Sequence, residues 1–352
     1  MKNMYKDQVK LLNEKLDSYL KTNVFSGVIR ITIKEDVIYE RSIGFADFEK
    51  KIPFTKDSIF SYYSISKCFC AIGLMKLYEQ KLVDVDAHPK KYLKEFEGYD
   101  ERLTIRHLLY HVSGIPDFEQ CEEFYSTHKY SLETVRSQLS ELLRYPPVFA
   151  PGEGSKYANV NYLICALIIE EVTSKTYREY MNEALKELGM KNAQVDYVGL
   201  DVENRVKGYE LYGDKLIEVT KAYDYMLGAG DIIGTVDDVY KVNLAIKNKT
   251  YLKPETWQEI FYKNNLNGMG LGCNVLNWYG KIRLQHNGGH TGFRTLHVQL
   301  PKDDFDIILL SNTGFGDARN DVSEIIHEVF YKKDHIEGNK FSVVMDAGYA
   351  RK

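Results

Sequence analysis

The sequence has no apolar run long enough to cross a bilayer. Its longest apolar stretches, such as Tyr162–Ile169, are far shorter than the roughly 20 residues that a membrane-spanning helix needs. The first 21 residues carry charges throughout and contain no apolar core of the kind that a signal peptide has. We therefore expect a cytoplasmic protein that makes no contact with a membrane.

Two further absences exclude classes of ligand and binding partner. The net charge is −4 and no long basic run occurs, whereas nucleic-acid binding needs clustered Lys and Arg. The cysteines are odd in number, and neither they nor the histidines follow the spacing of a zinc site. We predict no nucleic-acid partner, no metal and no cofactor. We expect free thiols at all five cysteines: Cys68, Cys70, Cys121, Cys165 and Cys273.

The sequence does contain strand patterns near both ends and helical patterns between them. Helical spacing of Val9, Leu12, Leu16 and Leu20 predicts an amphipathic N-terminal helix. The strand patterns are Gly27–Ile33, Val37–Ile43, Gly272–Trp278, Ile282–His286, Arg294–Leu300 and Asp306–Leu310. The other helical patterns are Ser64–Leu82, Thr104–Tyr110 with Thr104 as its N-cap, Val135–Arg144, Asn161–Thr173, a segment capped by Thr235, and Val322–Tyr331.

This order of elements predicts an α/β (α+β) fold. One antiparallel sheet would form from both chain ends, with helices on its faces and a mostly helical insertion. We expect residues 1–82 and 221–335 to form the sheet region and residues 83–220 the helical region, with residues 336–352 as a C-terminal tail. The 352 residues are enough to bury a full core as one compact unit.

Ser64-Ile65-Ser66-Lys67 is the first motif that suggests chemistry. A serine hydroxyl is a weak nucleophile until a base accepts its proton. On a helix, residues three apart share a face with Cβ atoms roughly 5–6 Å apart, so Lys67 would reach the Ser64 oxygen. The spacing recurs at Ser18–Lys21 and Ser126–Lys129, and a solvated helix face explains any single match. Ser64 is distinguished by the apolar helix that follows it.

Two later motifs fit the same chemistry. Tyr157-Ala158-Asn159 would supply a proton relay and an amide, although a packed tyrosine and a helix-capping asparagine also explain it. His286-Asn287-Gly288-Gly289 ends an apolar strand, and its glycines Gly288 and Gly289 would let a substrate backbone approach closely. A glycine-rich hairpin is the alternative there. Equivalent spacings recur at Tyr262-Lys263-Asn264 and His290-Thr291-Gly292.

In the order Ser-x-x-Lys, Tyr-x-Asn, His-x-Gly, the three motifs resemble those of the serine β-lactamase-like and penicillin-binding-protein family. This family includes class C β-lactamases, D-aminopeptidases and related esterases. The resemblance runs from about Phe25 to Phe330. Five flanking segments also match: Leu103–Pro116 (similar to TIRHLLTHTSGLP), Pro151-Gly152, Ala229-Gly230, Gly292-Phe293 and Leu310–Asn312. The recurring spacings at Ser18, Ser126, Tyr262 and His290 fall outside this frame.

The resemblance implies a role for each motif residue. Ser64 would be the acylated nucleophile and Lys67 its proton acceptor. Tyr157 would protonate the leaving group and help to activate water, and Asn159 would position Lys67 and the substrate amide. The backbone N–H groups of Ser64 and Gly289 would form the oxyanion hole; losing one such donor typically costs roughly 3–4 kcal/mol.

His286 departs from the pattern of many β-lactamases, which carry lysine at the cation position of the third motif. A histidine is mostly neutral at pH 7, which weakens the case for a carboxylate-bearing β-lactam. Arg283 or Arg294 would be the candidates for the missing charge. We expect the His111–Ser113 segment to be structural, near the site but not catalytic.

The sequence therefore predicts a serine hydrolase that cleaves a small amide, a D-amino-acid peptide, an ester or a β-lactam through an acyl-enzyme. The expected partner is a small molecule or short peptide. The alternative is a slow penicillin-binding or scaffold-type homologue that binds rather than turns over. Loops such as Glu119–Ser131 and Tyr197–Glu218 would set the specificity.

Overall fold

A computed structural model describes residues 2–118, 132–220, 226–262, 268–278 and 280–331. Several sequence features lie outside these ranges: the Glu119–Ser131 loop with Cys121 and the Ser126–Lys129 spacing, residues Lys263 and Asn264, and the C-terminal tail. The four cysteines within the described ranges are free and buried: Cys68, Cys70, Cys165 and Cys273.

The described chain forms eleven strands in three sheets. Their bounds are β1 Gly27–Ile33, β2 Asp36–Ile43, β3 Phe60–Ser61, β4 Gln194–Val195, β5 Tyr209–Tyr212, β6 Lys215–Glu218, β7 Ile232–Gly234, β8 Asn274–Trp278, β9 Lys281–His290, β10 Phe293–Leu300 and β11 Phe305–Ser311. The main sheet has six antiparallel strands in the order β2-β1-β11-β10-β9-β8. A smaller sheet has the order β3-β7-β4, and β5 pairs with β6.

The main sheet joins the two ends of the chain, as the sequence predicts. β1 pairs with β11 in a continuous register from Gly27 opposite Ser311 to Ile33 opposite Phe305. The strand residues are β-branched or leucine for most of this length, because both faces of these two strands are buried. The predicted fold class is confirmed.

Nine α-helices pack around these sheets in the described chain. Their bounds are α1 Lys6–Tyr19, α2 Ser66–Glu79, α3 Ile105–Leu109, α4 Leu132–Leu142, α5 Val160–Thr173, α6 Tyr177–Glu187, α7 Val236–Asn248, α8 Pro254–Tyr262 and α9 Arg319–Tyr331. Leu12 and Leu16 of α1 share one core with Ile326 of α9 on one face of the main sheet. The other face belongs to a larger core that includes α2 and α5. No described helix is long and apolar enough to cross a membrane.

Two predicted helix caps are present and explain where their helices begin. Thr104 accepts a hydrogen bond from the backbone N–H of His107, and Thr235 accepts one from that of Asp238. In both cases the third helical residue bonds back to the cap, which satisfies N–H groups that the helix itself leaves without acceptors.

The predicted continuous helix Ser64–Leu82 is wrong at its start. Tyr63–Ile65 form a 3₁₀ turn, and the α-helix begins only at Ser66 and ends at Glu79. Tyr63 has a φ of 48°, a backbone conformation that side-chain-bearing residues rarely adopt. The turn therefore separates Ser64 from the regular helix, while a 3₁₀ turn still aligns residues three apart.

The predicted strand Ile282–His286 is also wrong at its end. β9 continues through both glycines to His290, because Gly288 and Gly289 pair with Thr295 and Arg294 of β10. The turn lies instead at Thr291-Gly292, where Gly292 has a φ of 78°. The third motif is thus part of a strand and not of a hairpin turn.

Candidate active site

Ser64 lies in the 3₁₀ turn between β3 and α2. The residue two before it, Tyr62, is fully buried and held on three sides. Its hydroxyl donates to the carbonyl of Thr235 at 2.5 Å, and its carbonyl accepts from the Thr295 hydroxyl at 2.8 Å. Its backbone N–H donates to the carbonyl of Ile232 at 3.0 Å. These bonds anchor the backbone immediately before the strained Tyr63 and so fix where Ser64 is presented.

Lys67 is fully buried and its Nζ is surrounded by three oxygen atoms. Nζ lies 3.1 Å from Ser64 Oγ, 2.9 Å from Asn159 Oδ1 and 2.7 Å from the carbonyl oxygen of Ala229. Burial lowers the pKa of Lys67 from 10.5 to about 7, against the opposing charges of Asp117 and Asp231. Near neutral pH the amine therefore exists in both its protonated and its neutral form.

Tyr157 packs against both Lys67 and His111. The Lys67 Nζ lies 4.8 Å from the centre of the Tyr157 ring, and the His111 ring stacks on it at 4.3 Å. Although Tyr157 is 42% exposed, desolvation is the largest effect on the pKa of its hydroxyl and raises it above its ordinary value, and the interaction with Ser64 lowers it only in part. Tyr157 is therefore a neutral phenol at neutral pH, with its hydroxyl available as a proton donor beside Ser64.

His111 contacts both Tyr157 and the residue after it. Its Nδ1 accepts a hydrogen bond from the backbone N–H of Ala158 at 3.1 Å, so the ring proton lies on Nε2. Burial and the charge of Lys67 hold the pKa of His111 well below its usual range. A neutral imidazole fixed in this way serves as a platform for the tyrosine ring, in keeping with the structural role expected of the His111–Ser113 segment.

Asn159 stands at the start of α5 but does not cap it with its own side chain. Its amide instead bridges Lys67 and Asp117, whose carboxylate accepts from Asn159 Nδ2 at 3.2 Å. The sequence reasoning missed Asp117, although it directly follows the Leu103–Pro116 segment that matches the family. It also missed the role of the Ala229 carbonyl, which lies in the glycine-flanked turn Gly228–Gly230.

His286 points into the same site from β9. It is 3% exposed, and its ring centre lies 6.2 Å from that of Tyr157. Burial, followed by the charge of Lys67, lowers the pKa of His286 to about 3. Its Nδ1 donates to the Asn287 carbonyl at 2.7 Å, so Nε2 keeps a lone pair, which has no partner among the described residues. His286 is therefore neutral and offers an acceptor atom, not a positive charge.

The two glycines after His286 differ in their surroundings. A Cβ on Gly288 would lie 2.0 Å from the Tyr62 carbonyl oxygen, so only glycine lets β9 pack against the Ser64 turn. A Cβ on Gly289 would meet nothing closer than 3.4 Å.

The end of β9 has a free edge in the described sheet. β8 pairs with β9 only up to Gln285, so the rest of β9 pairs on one side only among the described strands. Alternate residues of an antiparallel strand direct their N–H groups away from the partner, which leaves a donor at this free edge.

Two arginines donate hydrogen bonds to backbone carbonyls of the β9–β10 hairpin. Arg294 Nη1 donates to the carbonyls of His290 and Phe293, both at 2.7 Å, at the end of the β9–β10 hairpin. Arg319, at the start of α9, donates to the Gly288 carbonyl at 2.5 Å. The sequence reasoning missed Arg319 because only the tertiary fold brings α9 to β9.

Arg283, the other cation suggested by the sequence, lies away from the site. It is buried at an odd position of β9, where side chains point to the face opposite that of His286. Its charge interacts with Glu324 and His327, both on α9. Burial lowers the pKa of Arg283 to about 10.

The recurring motif spacings occupy other positions of the fold. Ser18 lies on α1, which packs on the opposite face of the main sheet, and Tyr262 ends α8. His290 lies at the β9–β10 turn beside the Tyr63 ring. Within the described ranges, no three His, Cys, Asp or Glu side chains are grouped in a way that would hold a metal ion.

A sequence model of the family described as Beta-lactamase matches residues 12–329. The chain belongs to the β-lactamase family. Penicillin-binding protein 4* of Bacillus subtilis (strain 168) is 26% identical over 311 residues, which cover 82% of this chain and 68% of that protein. Membership of the β-lactamase family supports a function of the serine-hydrolase type.

Solved structures of the same fold extend the comparison. The D-amino acid amidase of Ochrobactrum anthropi SV3, in complex with D-phenylalanine, has a TM-score of 0.79 at 22% identity, covering 92% of this chain and 99% of that chain. EstCE1, a hydrolase with promiscuous acyltransferase activity, has a TM-score of 0.79 at 20% identity, covering 93% and 99%. These likenesses show that the β-lactamase fold is shared over nearly the whole described chain.

Proposed function

We propose that this protein is a serine hydrolase that forms an acyl-enzyme on Ser64. Its substrates would be small amides, D-amino-acid peptides, esters or β-lactams. The observation that carries the proposal is the set of three oxygen atoms around the Lys67 Nζ. Two of these, the Asn159 amide oxygen and the Ala229 carbonyl oxygen, are acceptors only, whereas the Ser64 hydroxyl has a proton to give.

This arrangement makes neutral Lys67 a directed base. A neutral amine has two N–H donors and one lone pair. The Asn159 and Ala229 oxygens take the two donors, and the lone pair is left for the Ser64 hydroxyl 3.1 Å away. Ser64 Oγ then attacks the substrate carbonyl carbon while its proton moves to Lys67 Nζ. Because the pKa of Lys67 is about 7, the neutral form is well populated near neutral pH.

Tyr157 completes the step as the acid. The neutral phenol beside Ser64 donates its proton to the leaving nitrogen or oxygen as the bond from the carbonyl carbon breaks. It recovers the proton from Lys67, whose Nζ lies over its ring. In deacylation the same pair accepts a proton from water as the water attacks the acyl carbon, and returns that proton to Ser64 Oγ as the acyl–oxygen bond breaks.

The developing oxyanion would be bound by two backbone donors. One is the N–H of Ser64, and the other is the N–H of Gly289 at the free edge of β9. Gly289 is exposed, so a substrate backbone could approach this edge, while Gly288 holds the strand against Tyr62. Such fixed donors are worth roughly 3–4 kcal/mol of barrier each.

The neutral His286 favours ester and D-amino-acid amide substrates over carboxylate-bearing β-lactams. A lysine at that position would offer a charge, but His286 offers only the lone pair of Nε2. The guanidinium groups of Arg294 and Arg319 already donate to backbone carbonyls of the β9–β10 hairpin. The structural likeness to a D-amino acid amidase and to EstCE1 is consistent with this preference.

The proposal is tested by intact-mass and peptide-mapping mass spectrometry after treatment with a fluorophosphonate and with a β-lactam. We expect one adduct, on Ser64, which is absent in Ser64→Ala and unchanged in Ser18→Ala, a match of the same spacing on α1. The substrate panel contains nitrocefin, p-nitrophenyl esters and D-amino-acid anilides. Full turnover of every substrate by Ser64→Ala would contradict the mechanism.

A slow covalent binder is the second candidate, supported by the likeness to penicillin-binding protein 4*. The same experiment separates the two. An adduct of the β-lactam that persists for hours without turnover of the panel would indicate a binder, and an adduct that decays as product appears would indicate a hydrolase.

A further inference from the structure

Asp117 lies in the loop after α3, against the start of α5. It is 8% exposed, and its carboxylate accepts three hydrogen bonds. Oδ2 accepts from the backbone N–H of Asn159 at 2.9 Å and from Asn159 Nδ2 at 3.2 Å. Oδ1 accepts from the backbone N–H of Val160 at 3.0 Å. All three donors therefore belong to the two residues that begin α5.

These bonds replace a cap that Asn159 would otherwise have to make. The first N–H groups of a helix need acceptors from outside it, and a carboxylate is favoured there by the helix dipole. Asn159 occupies the capping position but has helical backbone angles, and its side chain makes no capping bond. Because Asp117 satisfies the backbone donors, the Asn159 amide is free to reach Lys67.

The same carboxylate determines which end of that amide faces the lysine. A primary amide has one accepting and one donating end, and a carboxylate only accepts. With Nδ2 turned to Asp117, Oδ1 is placed 2.9 Å from Lys67 Nζ. In the flipped orientation the amide oxygen would face the carboxylate oxygens and the amide N–H₂ would compete with Ser64 for the lysine lone pair.

We propose that Asp117 is a positioning residue, which orients the Asn159 amide so that the lone pair of neutral Lys67 is left to Ser64. This role rests on the proposed acyl-enzyme function and deepens it. Asp117 touches neither substrate nor Ser64; it acts through Asn159 and Lys67.

The charge of Asp117 also gives the proposal a readout that a purely structural cap would not move. Burial lowers the pKa of Lys67, and Asp117 is the largest of the charges that raise it. The other titratable groups that face Lys67 are Asp231, Cys68, Cys70, His111, His286, Tyr157 and Tyr162. Removing only the Asp117 charge should therefore lower the pKa of Lys67 further.

The experiment measures the second-order rate constant of Ser64 modification by a fluorophosphonate as a function of pH. In Asp117→Asn we expect the plateau rate to fall roughly 10- to 100-fold, because the base is displaced. We expect the acid limb of the pH profile, where the rate rises with pH, to move to lower pH by roughly one unit, because the negative charge of Asp117 near Lys67 is lost. Asp117→Glu, which keeps the charge on a longer side chain, should lower the plateau but leave the limb near its wild-type position.

Glu170→Gln is the matched control. Glu170 is also a buried carboxylate at 8% exposure, and its Oε1 accepts from the backbone N–H of Tyr177 at the start of α6. It caps a helix but is not among the charges that shift the pKa of Lys67. We expect Glu170→Gln to lower the unfolding temperature while the plateau and the acid limb stay as in the wild type.

A double variant tests the route of the effect. In an Asn159→Ala background, Asp117→Asn should lower the plateau rate by less than threefold, because its effect passes through the Asn159 amide.

Each outcome decides the matter. If Asp117→Asn behaves like Glu170→Gln, losing stability but keeping the wild-type plateau and limb, Asp117 is a helix cap and the positioning role is wrong. Full additivity with Asn159→Ala would also overturn it. A wild-type protein that forms no Ser64 adduct at all contradicts the acyl-enzyme function itself, a result that differs from a reactive wild type with an indifferent Asp117→Asn.

Discussion

The Nζ of Lys67 lies 2.7 Å from the carbonyl oxygen of Ala229, a bond in which only the lysine can donate. Together with the Asn159 amide oxygen, this contact uses two N–H groups whether the amine is charged or neutral. The third tetrahedral position of the nitrogen faces Ser64 in both states. The fold thus fixes the direction of the lysine lone pair before any substrate arrives, which is the central feature of the account.

The first prediction concerns pH. Protonated Lys67 has no lone pair, so kcat/KM should rise as pH increases and level off above the pKa of Lys67, about 7. The same acid limb should appear with an ester and with a fluorophosphonate, since both depend on the same deprotonated amine. The measurement is the pH profile of kcat/KM and of the inactivation rate.

Asp231 is the control for this assignment, because burial raises its pKa to about 7 as well. Its charge raises the pKa of Lys67, so Asp231→Asn should shift the acid limb to lower pH without abolishing it. A limb that disappears in Asp231→Asn would assign the titration to the aspartate instead.

The second prediction separates Tyr157 from the nucleophile. In Tyr157→Phe, hydrolysis of D-amino-acid anilides should fall roughly 100- to 10,000-fold, because the amine leaving group needs a proton. Acylation by a p-nitrophenyl ester should fall by less than about tenfold, because p-nitrophenolate leaves without one. Steady-state and burst kinetics on the two substrates give the ratio.

Tyr162→Phe is the matched variant for this test. Tyr162 also lies beside Lys67, but its hydroxyl donates to the Leu109 carbonyl at 2.9 Å. Its loss should cost about 1 kcal/mol of stability and leave the anilide-to-ester ratio unchanged. Equal losses on both substrates in Tyr157→Phe would contradict the acid role.

The third prediction concerns substrate charge. His286→Lys places a cation where the structure has a neutral acceptor, so the rate of acylation by a carboxylate-bearing β-lactam relative to a p-nitrophenyl ester should rise about tenfold. His286→Gln, which stays neutral, should leave this ratio near its wild-type value. If the two variants give the same ratio, the charge at this position does not select the substrate.

The fourth prediction tests the packing of β9 against the Ser64 turn. A methyl group on Gly288 would collide with the Tyr62 carbonyl and the Thr295 hydroxyl, so Gly288→Ala should lower the free energy of unfolding by about 1–3 kcal/mol. Gly289→Ala, with its nearest neighbour 3.4 Å away, should cost about 0.5 kcal/mol or less. Denaturant unfolding of both variants tests the effect of the close approach at Gly288, and equal costs would contradict it.

Sequence patterns were sufficient for the elements that depend on local periodicity. The pairing of the two chain ends, the Thr104 and Thr235 caps and the contact between Ser64 and Lys67 all follow from spacing and residue type. Two boundaries were wrong where tertiary contacts override local preference. Three hydrogen bonds of Tyr62 hold the adjoining Ser64 in a 3₁₀ turn, and pairing with β10 carries β9 through its glycines.

The parts of the site that were missed depend on contacts between distant segments. Asp117 reaches Asn159 across 42 positions of the chain, and Arg319 reaches Gly288 across 31. No local pattern distinguishes either residue from an ordinary surface charge. Their partners are backbone groups and an amide that only the assembled fold brings within reach.

The most direct test of the account is to trap the acyl-enzyme during turnover of a p-nitrophenyl ester by acid quench, followed by peptide mapping. The account predicts a mass increase equal to one acyl group on the Ser64 peptide, formed within the p-nitrophenol burst and absent in Lys67→Met. A burst without an acyl group on Ser64, or an equally fast acylation of Ser64 in Lys67→Met, would contradict it.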